Sequence, residues 1–368
     1  MHSSSSPSAT APPGALEFPV EDVSDEEMAI IDAAMAAVAA GARPLFSAAA
    51  RRAAAPLSCA AYSAAGPAGG DIEDSPCRSR LARFRRRRAL AVTDITATEW
   101  CEKQMEFVLE HGRPERTQAM KAGSVRHAQL EQEVVERVDV TIRSEEERWA
   151  VKFMNFIVGT NQLLYEGRTR EIPVIGVVKG SWMIGIVDEI RMAMDGQPML
   201  MDTKTRSSPT SPSEPQKRNG RLQLMCYKHL WDNLIIGEFP AENFFSYFDL
   251  DPRYKLSDDL KRYMSSLGFN AETFEDVLKY FKITCHTLSM LRSQEQLLLR
   301  YELQTDHTLL EEYHFPYDAR WFKDQVQEVL SFWQGSREPK FVTEEEMWKC
   351  SFCKFAPNCP MIASMSRC

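Results

Sequence analysis

What this chain lacks narrows it first. No run of about 18 uninterrupted apolar residues occurs, so a membrane span is not expected. No secretory leader is evident, and nine cysteines in 368 residues are too sparse for a disulfide scaffold. The expectation is an intracellular, reducing compartment, with clustered cysteines reserved for metal. Positive charge is not in excess either: 44 Lys and Arg stand against 52 Asp and Glu, for a net −8. That excludes a protein coated in basic surface, but not a local basic groove for nucleic acid. With 44% hydrophobic and 26% charged residues, the composition is that of an ordinary globular chain, long enough for one large domain or two modest ones.

The N-terminal quarter is poor in anything that builds a core. Residues 1–16, MHSSSSPSATAPPGAL, are low-complexity and expected to be disordered. EDVSDEEMAIIDAAMAAVAAGA predicts a short helix with Ser24 as its N-cap, and residues 43–76 return to a linker-like composition. Ser, Ala and Arg across 1–76 suit an organelle transit peptide, whereas the EDVSDEE block does not, because such peptides are poor in acids. Nucleus, plastid and mitochondrion all stay open. CRSRLARFRRRRAL, residues 77–90, holds seven arginines and no acid. It reads either as a solvated tract or localisation signal, or as an arm laid on a phosphate backbone. The chain therefore divides into a weakly ordered region, 1–90, and a domain, 91–368, with the ordered body starting near Val92.

Within that body, ITATEWCEKQMEFVLEHG and MKAGSVRHAQLEQEVVERV have helical spacing. IPVIGVVKGSWMIGIVDEIRMAMDGQPMLMDTKT reads as consecutive strands, broken by Lys179-Gly180 and Asp195-Gly196 turns. SSPTSPSEPQKRNG is a polar loop, NGRLQLMCYKHLWDNLI resumes helical periodicity, and residues 251–297 look mainly helical. LLLRYELQ and TLLEEYHFPYD predict a late strand pair around Thr305-Asp306, followed by the amphipathic helix DARWFKDQVQEVLSFWQG. Helices, a strand meander and more helices around one sheet give the fold class α/β, a mixed sheet with helical flanks.

Chemistry concentrates on two strands. Asp188 lies in GIVDEI, and Asp202 with Lys204 lies in MLMDTKT, each near the end of an apolar strand. Neighbouring strands are about 4.8 Å apart, so two carboxylates at corresponding ends would share a divalent ion. Lys204, two residues beyond Asp202, points to the same face. A lone D-x-K is common by chance; the Asp on the preceding strand is what lifts it. His127 and Glu131 share a helix face at i, i+4, as do Gln223 and Tyr227, where two polar groups interrupt an apolar helix. The bland alternatives are a structural histidine and a tyrosine that caps the core. At the other end, MWKCSFCKFAPNCP places Cys350, Cys353 and Cys359 at C-x2-C-x5-C spacing. Three thiolates leave a metal site one ligand short, and four would suit zinc or an iron–sulfur centre alike. Cys59, Cys77, Cys226, Cys285 and Cys368 read as incidental or buried thiols.

In order, G-x-x-x-H-x-x-x-E, G-I-V-D, D-x-K and Q-x-x-x-Y resemble the RecB-type branch of the PD-(D/E)xK nucleases. With the terminal cysteine run and the V-T-D…W-C-E segment near residue 93, the chain resembles the exonuclease V family over roughly 90–360. The resemblance implies a restriction-endonuclease-like core and an exonuclease that digests single-stranded DNA with Mg²⁺, Mn²⁺ being a substitute. Asp188 and Asp202 would bind the metal with His127 as third ligand, and Lys204 would be the motif lysine. Gln223 and Tyr227 would support catalysis and the DNA backbone. Cys101 would join Cys350, Cys353 and Cys359 around a [4Fe–4S] cluster, a latch closing a loop around the whole core. Two departures are visible: Val187 replaces the nominal proline, and position 202 is Asp where relatives often carry Glu. A single-strand channel would need basic groups, for which Arg168, Arg170, Lys217, Arg218 and Arg221 are candidates. The expected state is a monomer acting in DNA repair, with a single-strand-binding protein as a candidate partner. The rival from another class is a non-catalytic nucleic-acid-binding protein on a degenerate nuclease fold.

Overall fold

In the computed structural model, the described residues are 15–16, 79–134, 137–138, 140–237 and 239–365. The expected helix at 21–42 and the linker at 43–76 lie outside them. Order begins ahead of Val92. A short helix α1 (Arg80–Phe84) and a strand β1 (Leu90–Ala91) precede α2 (Val92–Trp100) and α3 (Glu102–His111). The arginine tract supplies their fastening. Arg80 donates to Glu106 at 2.8 Å and to the Phe332 carbonyl, and Arg85 forks onto Asp94 at 2.7 and 2.9 Å. Leu90 is fully buried. Acids elsewhere in the fold pair with Arg80, Arg85 and Arg87 of the basic run, and the described body of the chain begins at residue 79.

The core is a six-stranded mixed sheet flanked by helices. After α4 (Gln118–Gln132) and α5 (Glu145–Glu166), the strands β2 (Arg168–Val178), β3 (Ser181–Met192) and β4 (Pro198–Arg206) form an antiparallel meander. Local chemistry explains it. Ser144 caps α5 by accepting from the Glu147 amide, three glutamates occupy the first turn, and Gly167 closes the helix in the left-handed region. Lys179 and Gly180, with φ of 51° and 79°, make the two-residue hairpin between β2 and β3. The expected late strand pair is present as β5 (Gln296–Leu303) and β6 (Leu309–Pro316), and β5 runs parallel to β4. Between them in sequence come α6 (Glu214–Ile236), α7 (Ala241–Phe248), α8 (Asp258–Ser266) and α9 (Phe274–Thr287). Helix α10 (Ala319–Gln334), two short 3-10 turns (Glu344–Ser351 and Ala356–Asn358) and α11 (Pro360–Met365) finish the described chain.

One feature of the sheet positions the chemistry. β3 is paired along its length by β2, but its other edge is shared. β1 pairs near Met183 and Ile184, and β4 pairs only from Glu189 to Met192. From Met201 onward β4 pairs with β5 on its far side while parting from β3. The sheet therefore forks beside residues 185–188. No described helix is long and apolar enough to cross a membrane.

Candidate active site and cysteine pocket

The fork holds the carboxylates. The β3–β4 register ends at Glu189 opposite Met201, so one step further puts Asp188 against Asp202. Both lie in mid-strand, not at strand ends as the sequence suggested; what frees them is the parting of the strands. There the Thr203 amide has no β3 carbonyl to meet, and it points instead at Asp188 Oδ2, 3.4 Å away. Asp202 is fully buried and Asp188 is 9% exposed. Lys204, 2% exposed, sets its Nζ 3.0 Å from Asp202 Oδ2. Apart from the Lys204 ammonium, neither oxygen of Asp202 has a donor among the described residues. A buried carboxylate in that state is costly unless charge compensates it. Lys204 supplies part of the compensation, and the donor set suits a hard divalent cation for the rest.

Two helices bring the remaining groups. His127 on α4 is buried, with Nδ1 3.5 Å from Asp188 Oδ2. Gly123, one turn earlier, lets α4 lie close on β4, where an added Cβ would be 3.2 Å from Thr205 Oγ1. On α6, Gln223 donates to Tyr227 Oη at 2.9 Å. Burial, and then the charges of Asp188 and Asp202, push the Tyr227 phenol well above its ordinary pKa. Tyr227 thus keeps its proton at neutral pH, and with its oxygen already accepting from Gln223 it remains a donor inside the site. The ring lies over Gly185, where a Cβ would come within 2.5 Å of Tyr227 Cε1. The glycine of GIVD is therefore steric. Glu131, one turn beyond His127, is not part of this group.

Sequence reasoning missed Glu171. In REIPV on β2, it stands across the ladder from Asp188, flanked by the pairs Arg170–Glu189 and Ile172–Val187. His127, Glu171 and Asp188 each offer a donor atom within 4.8 Å of the others. Its backbone sits in the left-handed region at φ 53°, unusual for a non-glycine residue in a strand. No residue pattern announces that.

Four of the five cations proposed for a DNA channel make ion pairs within the fold. Arg170 is buried against Glu189, Lys217 pairs with Glu311, Arg218 holds Glu99 and Glu346, and Arg221 donates to Glu214 and Tyr313. Arg168 is half-buried at the start of β2. Sequence shows a cation's charge but not the acid that answers it.

Far from the fork in sequence, Cys101, Cys350, Cys353 and Cys359 line one pocket with Phe107, Phe341, Val342, Met361 and Ile362. All four are free thiols. Cys101 is pushed up to about 11, by burial first and then by Cys353 and Cys350, while Cys350 and Cys353 are also raised by burial and by Cys359. Four thiols pressed together in an apolar shell fit a soft metal centre. The pocket's two sides are fastened together. Lys349 donates to the Trp100 carbonyl at 3.2 Å, with its Nζ 3.9 Å from the centre of that indole ring. Trp100 meets Trp348 edge-on, Phe107 stacks on Phe355, and Glu102 accepts from Arg337 and from the Lys340 amide.

The chain matches a family model described as exonuclease V, a 5′ deoxyribonuclease, over residues 79–199, 193–296 and 277–360. Exonuclease V of Danio rerio is 31% identical over 285 residues, 76% of this chain and 72% of that protein. Among solved structures, the crystal structure of SSO0001 matches at 14% identity with a TM-score of 0.32, covering 74% of this chain and 86% of that one. A crystal structure from Eubacterium rectale matches at 10% identity with a TM-score of 0.36, covering 79% and 94%.

Proposed function

Because the chain belongs to the exonuclease V family and is a DNA nuclease, we propose that it digests single-stranded DNA exonucleolytically with Mg²⁺ in DNA repair or genome maintenance. The observation that carries this reading is the fork: Asp188 faces Asp202, both largely buried, with Lys204 against Asp202. Asp188 and Asp202, with His127 beside Asp188, would hold the divalent ion. Such an ion, when bound, supplies neutralising charge at a phosphodiester and lowers the pKa of its water. The residues of the chain do the rest. Lys204 fixes Asp202 and presents an ammonium where charge develops on the phosphoryl oxygens. Tyr227, held by Gln223, offers an O–H from α6, and the buried walls keep bulk water out.

For the cysteine pocket we propose a [4Fe–4S] cluster. Cys101, Cys350, Cys353 and Cys359, which share one pocket, would supply the four thiolates that such a cluster takes. Its role is that of a clasp joining residue 101 to the C-terminal segment, with no electron transfer required. A non-catalytic DNA-binding protein is the weaker reading, since a decayed site loses a member of the Asp188, Asp202 and Lys204 set, and all three are present.

The test is nucleotide release from single-stranded DNA labelled at the 5′ or the 3′ end, with Mg²⁺, on the wild type and on Asp202→Ala and Lys204→Ala. An active wild type and two inactive variants are expected. An inactive wild type, or two fully active variants, overturns the reading. Anaerobic purification followed by iron and sulfide analysis tests the cluster, and stoichiometric zinc without iron overturns that part.

A further inference from the structure

Acids answer four of the five cations that the sequence offers for a DNA channel, and the chain as a whole carries a net −8. A polyanion is repelled by such a surface unless cations are gathered at one place on it. The arginine tract ahead of β1 is such a place. Arg80, Arg85 and Arg87 pair with Glu106, Asp94 and Asp249. Arg83, Arg86 and Arg88 are exposed, and no ion pair among the described residues reaches them.

The tract is held as a platform. The Arg88 amide donates to the Arg85 carbonyl at 3.0 Å and closes a tight turn, with Arg87 in the left-handed region at φ 57°. On one side Arg85 forks onto Asp94 and lies over the Trp333 ring. On the other, Arg87 pairs with Asp249 at the end of α7, and Tyr247 Oη donates to the Arg88 carbonyl at 3.2 Å. Left-handed backbone is unfavourable for an arginine, and such strain persists where surrounding contacts fix it and a task requires it. The place of the turn supplies a second observation. β1 pairs with Met183 and Ile184 of β3, the strand that carries Asp188 four residues further on. At about 3.3 Å per residue, the turn stands about 20 Å from that carboxylate along the strand. A DNA strand stacked at about 3.4 Å per nucleotide covers that distance in about six nucleotides.

We infer that Arg83, Arg86 and Arg88 form a seat for the phosphate backbone of the strand outside the fork, holding it while its end is cleaved. This rests on the single-stranded DNA reading of the proposed function and names the surface that leads the substrate in. Guanidinium groups suit phosphates, whose oxygens accept their N–H groups in pairs. Contacts of this kind carry no base information, so the seat should hold any sequence equally. They are also salt-sensitive, each phosphate neutralised on a single strand adding about 0.7 to the slope of log affinity against log salt.

Fluorescence anisotropy of a labelled oligothymidylate several times longer than that span tests the seat, with the full-length protein in EDTA so that no strand is cut. Three proteins are compared as salt is raised: the wild type, the tract variant Arg83→Gln/Arg86→Gln/Arg88→Gln, and a control, Lys261→Gln/Arg262→Gln/Lys279→Gln. The control makes the same change in net charge on α8 and α9, where each cation is paired with an acid. The tract variant should bind about 100-fold more weakly at about 0.1 M salt, with a slope reduced by about 2, and each arginine alone should account for about 5-fold. The control should keep the wild-type affinity and slope. Melting shows whether the tract variant is folded; should it not be, Arg86→Gln alone is read for its own share. Wild-type affinity and slope in the folded tract variant, or an equal loss in the control, overturns the inference. Nuclease activity with Mg²⁺ is read separately, and there the loss should fall on KM. A wild type that binds through the tract but releases no nucleotides would sink the nuclease reading and leave the seat standing. An active wild type whose tract variant binds equally well would do the reverse.

Discussion

The fork and the cysteine pocket bring together the side chains of the two proposed metal centres by opposite means. At the fork, Asp188, Asp202 and Lys204 come from two neighbouring strands, and a hairpin of a few residues sets their register. The scaffold is rigid before any ion arrives, because β3 and β4 are buried by the helices around them. At the pocket, the ligands come from positions 101 and 350–359, on a helix N-terminus and short 3-10 turns, joined by surface ion pairs and a few aromatic contacts. There the proposed cluster would itself supply much of the hold. The fork should lose function when altered and keep its fold, whereas the pocket should lose its fold first.

The largest expected effect belongs to the fork. Asp202→Asn preserves volume and removes one of two facing charges, so activity on single-stranded DNA should fall by about 10³-fold or more. Its melting temperature should move far less than that of any cysteine variant. Unfolding of Asp202→Asn at the growth temperature would erase the distinction between the regions. Next come the cysteines. Cys101→Ser and Cys353→Ser should each cost about 3 kcal/mol or more, because the closure between them spans almost the whole ordered chain. Calorimetry of the two variants, with their iron content, checks this. A stable, iron-loaded Cys101→Ser would remove Cys101 from the clasp.

The two regions also differ in how much the sequence disclosed. GIVD and DTK sit on adjacent strands joined by a short turn, so their meeting follows from the hairpin register. What could not be read was the fork, because the parting of β3 from β4 depends on β5 running parallel on the far side of β4, a contact distant in sequence. Glu171 escaped for a related reason: its place opposite Asp188 follows from the β2–β3 register, while its strained backbone has no residue signature. At the pocket, the C-x2-C-x5-C run is plain, yet nothing in the spacing points to Cys101. Only the resemblance did. The acids that pair with the candidate channel cations, Glu99, Glu189, Glu311 and Glu346, come from other elements of the fold and so were not legible in the sequence.

A smaller effect tests how Tyr227 is placed. Gly185→Ala would put a methyl 2.5 Å from the Tyr227 ring and 2.8 Å from Val92. Overpacking of this kind costs about 1–3 kcal/mol. Activity should drop beyond what the stability loss explains, since the displaced phenol leaves the carboxylates. Gly123→Ala, whose methyl meets Thr205 Oγ1 at 3.2 Å and Gln304 Nε2 at 4.0 Å, should be milder on both counts.

The smallest effect links the two regions through Glu346. It accepts from Arg218 on α6, the helix that also carries Gln223 and Tyr227, and from Lys349 beside the pocket. Burial opposes its charge, but the hydrogen bonds from Arg218 and Lys349 outweigh that and hold the carboxyl down at about 2. Its folded pKa therefore lies below the ordinary value near 4.3. The stability it contributes is present above that ordinary value and is lost as pH falls towards 2, where the folded protein also takes up the proton. Wild type and Glu346→Gln, melted across pH 7 to 2, should differ most near neutrality and converge at the acid end. Catalytic efficiency at neutral pH should fall slightly in the variant, because Arg218 then holds α6 through Glu99 alone. A constant gap at every pH would mean that Glu346 acts through shape, not charge, and that the clasp and the catalytic helix are joined by packing.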